Sequence, residues 1–441
     1  MSYKNMENVL QKINQKYISL NNDEVKHNNA RLKSTLESMI CEMKKQSAVF
    51  KTVFDKPFYG GSFYDDLKVG SPDEFDLDLL LVLPKSCEKH KKKNCGCVKL
   101  ETSNKPGFFW YKIDPDYYPP FKDYIENDYL QTNLILDWVK GLVTKALNSL
   151  NSVDFSWGTP RYHSESGPAL TLKLYGQFGH FDVDLVPAFK FGPESWPQYG
   201  YKPNSSRRKT DFFIVPKKAR LQNCGERYWR ASFQDQEREL IEGKQRLKPA
   251  LRLLKKMRNN LGQVSVSSYA LKTLVLWDLD SGYLDFNAPL ADVFMKLLKK
   301  YAEHLQAKCV PYYWNKNNNL LDTIQLTTLE NHQNEISRKI ANIERNYLAD
   351  PLVVVKIILK EGTQEYNLFM TEYFPINAVP SLGLGNLSLS DRHRPAENQG
   401  GIQQVANANY RWGIAGAILG IGTVAAVSIY SAITRNRNNQ N

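Results

Sequence analysis

Three acidic side chains on two segments have the types and spacing of a metal-binding site. Glu74 and Asp76 are two positions apart in a strand-like segment, residues 74–83, so both carboxylates would point to one face of the strand. Asp184 lies in a second strand-like segment, with Asp182 as an alternative on the same face. Carboxylate oxygens suit Mg²⁺ or Mn²⁺, and two such ions about 3.5–4 Å apart stabilise both oxygens of an in-line phosphoryl displacement. These carboxylates therefore predict metal-dependent phosphoryl transfer.

A glycine–serine turn precedes the carboxylates and could hold a phosphate. Gly61 lets backbone N–H groups approach a phosphate closely, and the hydroxyl of Ser62 can donate to it. A Gly-Ser pair alone is most often a simple turn, and a Glu-x-Asp pair alone is most often a solvated strand face. Here the opposite face of the strand is wholly apolar, and a buried strand does not contain several carboxylates without partners. The combination favours a site that binds phosphate and metal.

An α/β half of the chain positions these residues, and a helical half follows it. In the first half, the spacing of apolar residues predicts a helix over 3–48 with a break near 21–23, a helix over 130–150, and strands over 74–83, 168–174, 179–191 and 211–216. Residues 85–106 are polar and Lys-rich and are predicted to form an inserted loop. From residue 229 onward the pattern is helical, over 247–258, 269–279, 293–305, 334–348 and 352–359.

The predicted fold class is α+β with two lobes. A mixed-sheet catalytic core with an N-terminal helix would occupy residues 1–220, and a helical C-terminal lobe would occupy residues 221–375. A Gly-, Pro- and Ser-rich linker over 376–409 would follow. The last parts are a transmembrane helix over 410–434 and a short polar tail over 435–441.

The transmembrane prediction rests on an uncharged run near the C-terminus. Residues 413–434 contain no formal charge, and as a helix they would reach about 33 Å against roughly 30 Å of bilayer hydrocarbon. Arg411 and Trp412 before it, with Arg435 and Arg437 after it, would be interfacial anchors. A buried core helix is the alternative. We expect a single-pass membrane anchor with the catalytic body in the cytoplasm.

Charge is concentrated in one part of the chain. The formal net charge is +12, and residues 201–260 contain 17 Lys and Arg against 6 Asp and Glu. Such a basic field indicates a polyanion partner, namely nucleic acid, nucleotide phosphates or an anionic membrane. A solvated basic surface is the alternative.

Cysteine usage favours reduced thiols over a disulfide scaffold. The chain has six cysteines in 441 residues, and its polar, amphipathic N-terminus does not resemble a signal peptide. Cys87, His90, Cys95 and Cys97 are four potential zinc ligands within eleven residues, but their spacing matches no common zinc module. A Lys-rich surface loop is favoured over a structural zinc site.

Several ordered motifs together resemble the animal, insect-type cyclic GMP–AMP synthase-like receptors of the polymerase-beta-type nucleotidyltransferase superfamily. The resemblance covers roughly residues 1–375. Its motifs are Gly60-Gly61-Ser62, Pro72-Asp73-Glu74-Phe75-Asp76-Leu77, Val183-Asp184-Leu185-Val186-Pro187-Ala188-Phe189, Ser195-Trp196-Pro197, Phe213-Ile214-Val215-Pro216-Lys217, Trp229-Arg230-Ala231-Ser232-Phe233 and Ser267-Ser268-Tyr269 followed by Lys272-Thr273. An ordered set of motifs is far more specific than any one of them. The implied fold is a bilobal nucleotidyltransferase.

The resemblance implies a role for each site residue. Glu74, Asp76 and Asp184 would ligate two Mg²⁺ or Mn²⁺ ions, and Asp184 would also activate the acceptor hydroxyl. Ser62 with Gly61 would hold the terminal phosphate of the donor nucleotide. Lys255 would reach the nucleotide phosphates, with help from Ser268. Arg230 would contact a base or phosphate, and Tyr269 would stack on a base. Without the resemblance, a core tyrosine and a solvated lysine are the simpler explanations of Tyr269 and Lys255.

The implied activity is synthesis of a cyclic dinucleotide such as cGAMP from ATP, GTP or both, switched on by nucleic acid, in an innate immune receptor that could dimerise on activation. The vertebrate DNA-sensing member has a zinc-binding His/Cys insertion, whereas the segment between Ser232 and Leu251 has neither His nor Cys. Its absence favours double-stranded RNA over DNA. Two alternatives stay open: a catalytically silent, membrane-tethered nucleic-acid-binding protein of the same fold, and a synthase of linear oligonucleotides.

Overall fold

The two strands predicted to contain the carboxylates lie side by side at the centre of a mixed sheet. The computed structural model describes residues 2–83, 98–151, 158–208, 210–217 and 226–374. Within them the sheet has eleven strands. The strands are β1 (Phe54–Gly60), β2 (Glu74–Leu81), β3 (Val98–Thr102), β4 (Phe108–Ile113), β5 (Ile125–Glu126), β6 (Tyr129–Leu130), β7 (Arg161–Ser166), β8 (Ala169–Gly176), β9 (Gly179–Phe191), β10 (Phe212–Val215) and β11 (Tyr228–Ser232).

The order of the strands brings distant parts of the chain together. The main path runs β1-β2-β9-β10-β11-β4-β6-β5, with β3 beside β4, β7 beside β8, and β8 beside β9. β2 and β9 pair in parallel, and the other described pairs are antiparallel. A separate hairpin consists of β12 (Pro311–Tyr312) and β13 (Asn315–Asn319).

Helices cover the sheet and form the C-terminal part of the described chain. They are α1 (Glu7–Ile13), α2 (Asn22–Gln46), α3 (Ala48–Val53), α4 (Gly61–Tyr64), α5 (Thr132–Leu150), α6 (Gln234–Ile241), α7 (Leu247–Asn260), α8 (Ser268–Ser281), α9 (Leu290–Gln306), α10 (Leu326–Asn346) and α11 (Gln364–Tyr373). The predicted break near residues 21–23 is confirmed: the Asn21 side chain accepts from the backbone N–H groups of Asp23 and Glu24 and caps α2.

The two faces of the central strands have different surroundings. Phe75, Leu77, Leu79 and Leu81 of β2 are buried in the main core, together with apolar residues of α2 and α5. Burying such a side chain contributes roughly 1.5–3 kcal/mol relative to leaving it in water. The carboxylates alternate with these residues and therefore occupy the opposite face of the sheet.

The N-terminus belongs structurally with the C-terminal helices. The backbone N–H of Tyr3 donates to Asp292 (2.6 Å), and Glu7 accepts from the N–H of Ala291 (2.8 Å), at the start of α9. α2 then packs with α5 beneath the sheet. All described residues belong to one compact unit, and the boundary between lobes at residue 220 stays a prediction.

Three local predictions were wrong. Residues 228–232 form β11 rather than the start of the helical half, and residues 98–102 form β3 rather than a loop. Tyr228, Trp229 and Ala231 are buried by the sheet and its partners, and this tertiary burial outweighs local pattern. Residues 351–354 and 356–360 are short 3₁₀ and π turns instead of one α-helix.

The expectation of a membrane-anchored protein is corrected. Among the described residues, no helix is both long enough and apolar enough to cross a membrane. The expectation rested on the lack of charge over residues 413–434, and missing charge alone does not establish a helix. That segment, the linker over 376–409, and the group Cys87, His90, Cys95 and Cys97 lie outside the described residues.

Candidate active site

Parallel pairing of β2 with β9 places the acidic residues beside one another. In this register Asp76 lies next to Asp184, and Glu74 lies next to Asp182. Neighbours in register point to the same face of a sheet, so all four carboxylates share the face opposite the main core. The pairing joins the two segments that the sequence had marked separately, and it places Asp184 closer in register to Asp76 than Asp182 is.

The electrostatics of this face show a concentration of negative charge. Burial, followed by the charges of Glu74 and Asp184, raises the pKa of Asp76 to about 6, and Lys68 opposes the shift. Burial also raises the pKa of Asp184, against a hydrogen bond that the Thr171 hydroxyl donates to it at 2.6 Å. Hard carboxylate oxygens with unbalanced negative charge are the donor set that a divalent cation prefers.

Glu74 has a partner of its own in this arrangement. The Lys68 ammonium donates to Glu74 at 2.7 Å and lies 3.1 Å from a carboxylate oxygen of Asp73. In the part of the chain that the structure describes, no three His, Cys, Asp or Glu side chains are gathered closely enough to hold a metal ion. Asp76 and Asp184 lie beside each other in the strand register, whereas Glu74 would have to release Lys68 before it could bind an ion.

The glycine–serine turn lies directly against the carboxylate strand. Gly60 of β1 is opposite Asp76 of β2, and Gly61 begins α4 with a φ of +71°. A Cβ on Gly61 would lie only 1.8 Å from Oδ2 of Asp76, so no side chain fits there. The turn is closed by the N–H of Leu67, which donates to the Ser62 carbonyl at 2.8 Å. The half-buried Ser62 is the next residue after Gly61, so the turn holds it beside the strand that contains the carboxylates.

A glutamine that sequence reasoning missed connects this turn to the sheet. The N–H of Gly61 donates to Oε1 of Gln234 (3.1 Å), and Nε2 of Gln234 donates to Asp78 (2.8 Å) and to the Ser232 hydroxyl (3.2 Å). Burial and the charge of Asp76 raise the pKa of Asp78 to about 7. The sequence contains one signal for such a partner. Asp78 is the third carboxylate on the alternating face of residues 74–78, and a buried carboxylate needs a hydrogen-bond partner.

Two basic residues predicted to contact nucleotide differ in accessibility. Arg230 of β11 is exposed, and its register through Val215 and β10 places it on the same sheet face as Asp184. Lys255 of α7 is buried and donates to the carbonyl of Leu67 at 2.5 Å, just after the turn. Burial, then the charges of Arg258 and Lys68, lowers the pKa of Lys255 to about 8. Lys255 therefore supports the turn in this arrangement.

Tyr269 and Ser268 begin α8 and are held by charged groups. The Tyr269 hydroxyl donates to the buried Glu237 at 2.5 Å, and burial raises the pKa of Tyr269 well above its usual value. The Ser268 hydroxyl accepts from the Arg258 guanidinium at 3.0 Å. The structure thus ties the ring of Tyr269 in place through its hydroxyl.

A buried ion-pair network joins the start of α8 to the glycine–serine turn. Lys272 of α8 lies 2.8 Å from carboxylate oxygens of both Asp65 and Glu237. Asp65 directly follows α4, and it also accepts from Arg238 at 3.1 Å. Buried pairs of this kind are sensitive to the loss of one partner. Two predicted contact regions, the turn and Tyr269, are therefore mechanically linked.

Comparison with known proteins agrees with this geometry. Residues 63–243 match the Mab-21 protein nucleotidyltransferase domain, and residues 246–338 match the Mab-21 protein HhH/H2TH-like domain. The first match begins directly after the Gly61–Ser62 turn and contains both carboxylate strands and Gln234, and the second contains Lys255 and Tyr269. The fold and the site therefore define a nucleotidyltransferase of the Mab-21 class.

Similarity to individual proteins extends over most of the chain. A cyclic GMP-AMP synthase-like receptor of Aethina tumida is 40% identical over 384 residues, which cover 82% of this chain and 94% of the relative. The receptor of the same name from Tribolium castaneum is 38% identical over 405 residues, 86% of this chain and 97% of the relative. That of Nicrophorus vespilloides is 34% identical over 76% of this chain and 92% of its own length. The chain belongs to the cyclic GMP-AMP synthase-like receptor family.

Proposed function

We propose that this protein is an innate immune receptor that synthesises a cyclic dinucleotide, of the cGAMP type, from ATP and GTP when nucleic acid binds to it. The observation that supports the proposal best is the registered pair Asp76 and Asp184 directly beneath the Gly61–Ser62 turn. Phosphoryl transfer needs a phosphate held so that the attacking and leaving oxygens are in line, beside carboxylates that can bind the metal ions. The relatives named as cyclic GMP-AMP synthase-like receptors support the choice of product.

The residues of this chain would divide the work by position. Ser62 would donate to the terminal phosphate, Lys255 would attract the phosphates, and Tyr269 would stack on a base, an interaction worth about 1–3 kcal/mol. Ser268 would assist at the phosphates, and Arg230 would contact a base or phosphate from the same sheet face. Asp184, whose pKa is raised, would accept the proton of the attacking hydroxyl.

Glu74, Asp76 and Asp184 would hold Mg²⁺ or Mn²⁺, two ions in all. The fit rests on the donor set and on the pKa of Asp76, which burial raises first and the charges of Glu74 and Asp184 raise further. When bound, the ions would neutralise charge developing on the phosphoryl oxygens. Glu74 would join the set by releasing Lys68.

The activating partner would be nucleic acid, with double-stranded RNA favoured over DNA, and a dimer could form on activation. Part of the basic charge between residues 201 and 260 is used internally: Arg252 lies 3.0 Å from Asp66, and Lys256 lies 2.6 Å from Glu365. Other exposed cations in the described chain, including Arg207, Lys244 and, on α2, Lys26, would meet phosphates, whereas Arg208 lies 2.7 Å from Glu242. Binding through phosphates should weaken steeply with salt.

The direct test is product formation from labelled ATP and GTP with Mg²⁺ or Mn²⁺. We expect a product that resists phosphatase in the presence of double-stranded RNA, and much less with double-stranded DNA or without nucleic acid. Asp76→Asn combined with Asp184→Asn should abolish synthesis and leave RNA binding within about twofold, whereas Asp116→Asn, at an exposed carboxylate, should change neither. A well-folded wild-type protein without product under any activator would refute the proposal, and a phosphatase-sensitive product would indicate linear oligonucleotides.

A further inference from the structure

Gln234 occupies an unusual position between the turn and the carboxylate strand. As the first residue of α6, it accepts from the N–H of Gly61 (3.1 Å) and donates to Oδ2 of Asp78 (2.8 Å). A Cβ on Gly60 would lie 2.1 Å from Oε1 of Gln234. The amide therefore packs directly against the backbone of the turn, and the missing side chain of Gly60 leaves the space for it.

Asp78 has no part in the chemistry proposed above, yet it is buried one alternation beyond Asp76 on the same strand face. A buried carboxylate is costly unless it is hydrogen-bonded, and an apolar side chain would pack at this position at lower cost. Gln234 donates the hydrogen bond that Asp78 accepts, and the positive charge of Arg230 also acts on this carboxylate. Its placement is explained if Asp78 orients the Gln234 amide, with its nitrogen toward the strand and its oxygen toward the turn.

We propose that Gln234 is a positioning residue that locks the Gly61–Ser62 turn to the carboxylate strand through Asp78. The proposal rests on the function proposed above, since it explains how phosphate and carboxylates keep a fixed separation. It also assigns a different role to Gly61. Its N–H is used by Gln234, so Gly61 provides space and backbone conformation, and Ser62 is the residue of the pair that meets the phosphate.

The central test removes and then rebuilds the hydrogen-bond pattern. Gln234→Leu keeps a similar volume but neither bond, and we expect kcat/KM for dinucleotide synthesis to fall about 10–100-fold, mainly in kcat, because a misplacement near 1 Å costs about that much. Gln234→Glu should fall similarly, since two carboxylates would then face each other. In Gln234→Glu combined with Asp78→Asn, the new carboxylate at position 234 again accepts from the N–H of Gly61, and the new amide at position 78 donates to that carboxylate. We expect kcat/KM of this double variant to recover to within about fivefold of wild type.

A matched control is available two residues further along α6. Gln236 is also buried, but its amide donates to the carbonyls of Thr210 (2.9 Å) and Asp211 (3.1 Å), away from the turn. Gln236→Leu should lower the melting temperature at least as much as Gln234→Leu without the same loss of kcat. If both variants lose kcat equally, or if the double variant shows no recovery, Gln234 acts only as packing and the proposal is overturned.

A second readout separates this proposal from the proposed function. Amide hydrogen exchange over residues 59–66 should accelerate in Gln234→Leu and return toward wild type in the Gln234→Glu, Asp78→Asn pair, with or without nucleotide. If the wild type makes no product but exchange follows this pattern, the proposed function fails and the positioning role stands. Exchange that is unchanged in Gln234→Leu overturns the positioning role whatever the activity.

Discussion

Replacing Asp78 by asparagine should stabilise the protein, and the gain should grow with pH. Asp78 is buried and its pKa is raised from 3.8 to about 7, first by burial and then by the charge of Asp76. The folded state therefore favours the protonated carboxyl. The protonated Asp78 contributes to the free energy of unfolding, and this contribution is complete below the ordinary pKa of the group and is lost as pH rises through about 7. Asparagine resembles the neutral form at every pH and can still accept from Gln234.

The magnitude follows from the shift. About three pKa units at about 1.4 kcal/mol each give a ceiling near 4 kcal/mol for the cost of a charged Asp78 at pH 8. Part of the shift arises from Asp76 and would relax in the variant, so we expect a gain of about 2–3 kcal/mol at pH 8 and almost none at pH 4.

The assay is urea denaturation of wild type and Asp78→Asn between pH 4 and pH 8, with a chelator present so that no divalent ion offsets the carboxylate charges. Asp116→Asn, at an exposed position, controls for the loss of an acidic group. A stability difference that does not change with pH would refute the reasoning, as would a variant that becomes less stable than wild type toward pH 8.

Three further substitutions test the supports of the site. Gly61→Ala forces a Cβ against Asp76 at a positive φ, so kcat/KM should fall at least about 100-fold; steady-state kinetics near the wild-type values would contradict the close contact. Lys272→Met leaves Asp65 and Glu237 without their shared cation and should cost about 3–5 kcal/mol in urea denaturation; a cost below about 1 kcal/mol would show the network to be dispensable. Tyr269→Phe should lower stability by about 1–3 kcal/mol while the ring keeps its place; unaltered unfolding would mean that the hydroxyl is not bound to Glu237 in solution.

Strict alternation made the central strands predictable. β2 and β9 coincide with the predicted segments because apolar residues recur at every second position and face the main core. β3 lies within the polar, Lys-rich segment 85–106, whose composition outweighs the short alternation of Val98 and Leu100 with polar residues. β11 was missed because its five residues are too few to show a period and they directly precede a long helical pattern. Local patterns thus reveal an element when one face is buried uniformly.

The carboxylates were predictable individually, but their contacts were not. Two acids separated by one residue share a strand face whatever the fold, so Glu74 and Asp76 were identified from local geometry. The register that places Asp76 beside Asp184 depends on pairing between strands far apart in the chain. The ion pair of Lys68 with Glu74 and the bond from Gly61 to Gln234 depend on that same tertiary arrangement, so neither has a local signal.

The parallel pairing of β2 with β9 also has a consequence for how the molecule forms. Asp76 and Asp184 are separated by more than one hundred residues of chain, which must close into a loop before the two strands can pair. Closing long loops costs entropy before any contact repays it, and such pairings form slowly. During synthesis, a chain that has not yet extended past β9 contains only half of the acidic cluster. If the acidic cluster is the catalytic site proposed above, catalytic competence arises late, after nearly the whole sheet has been made.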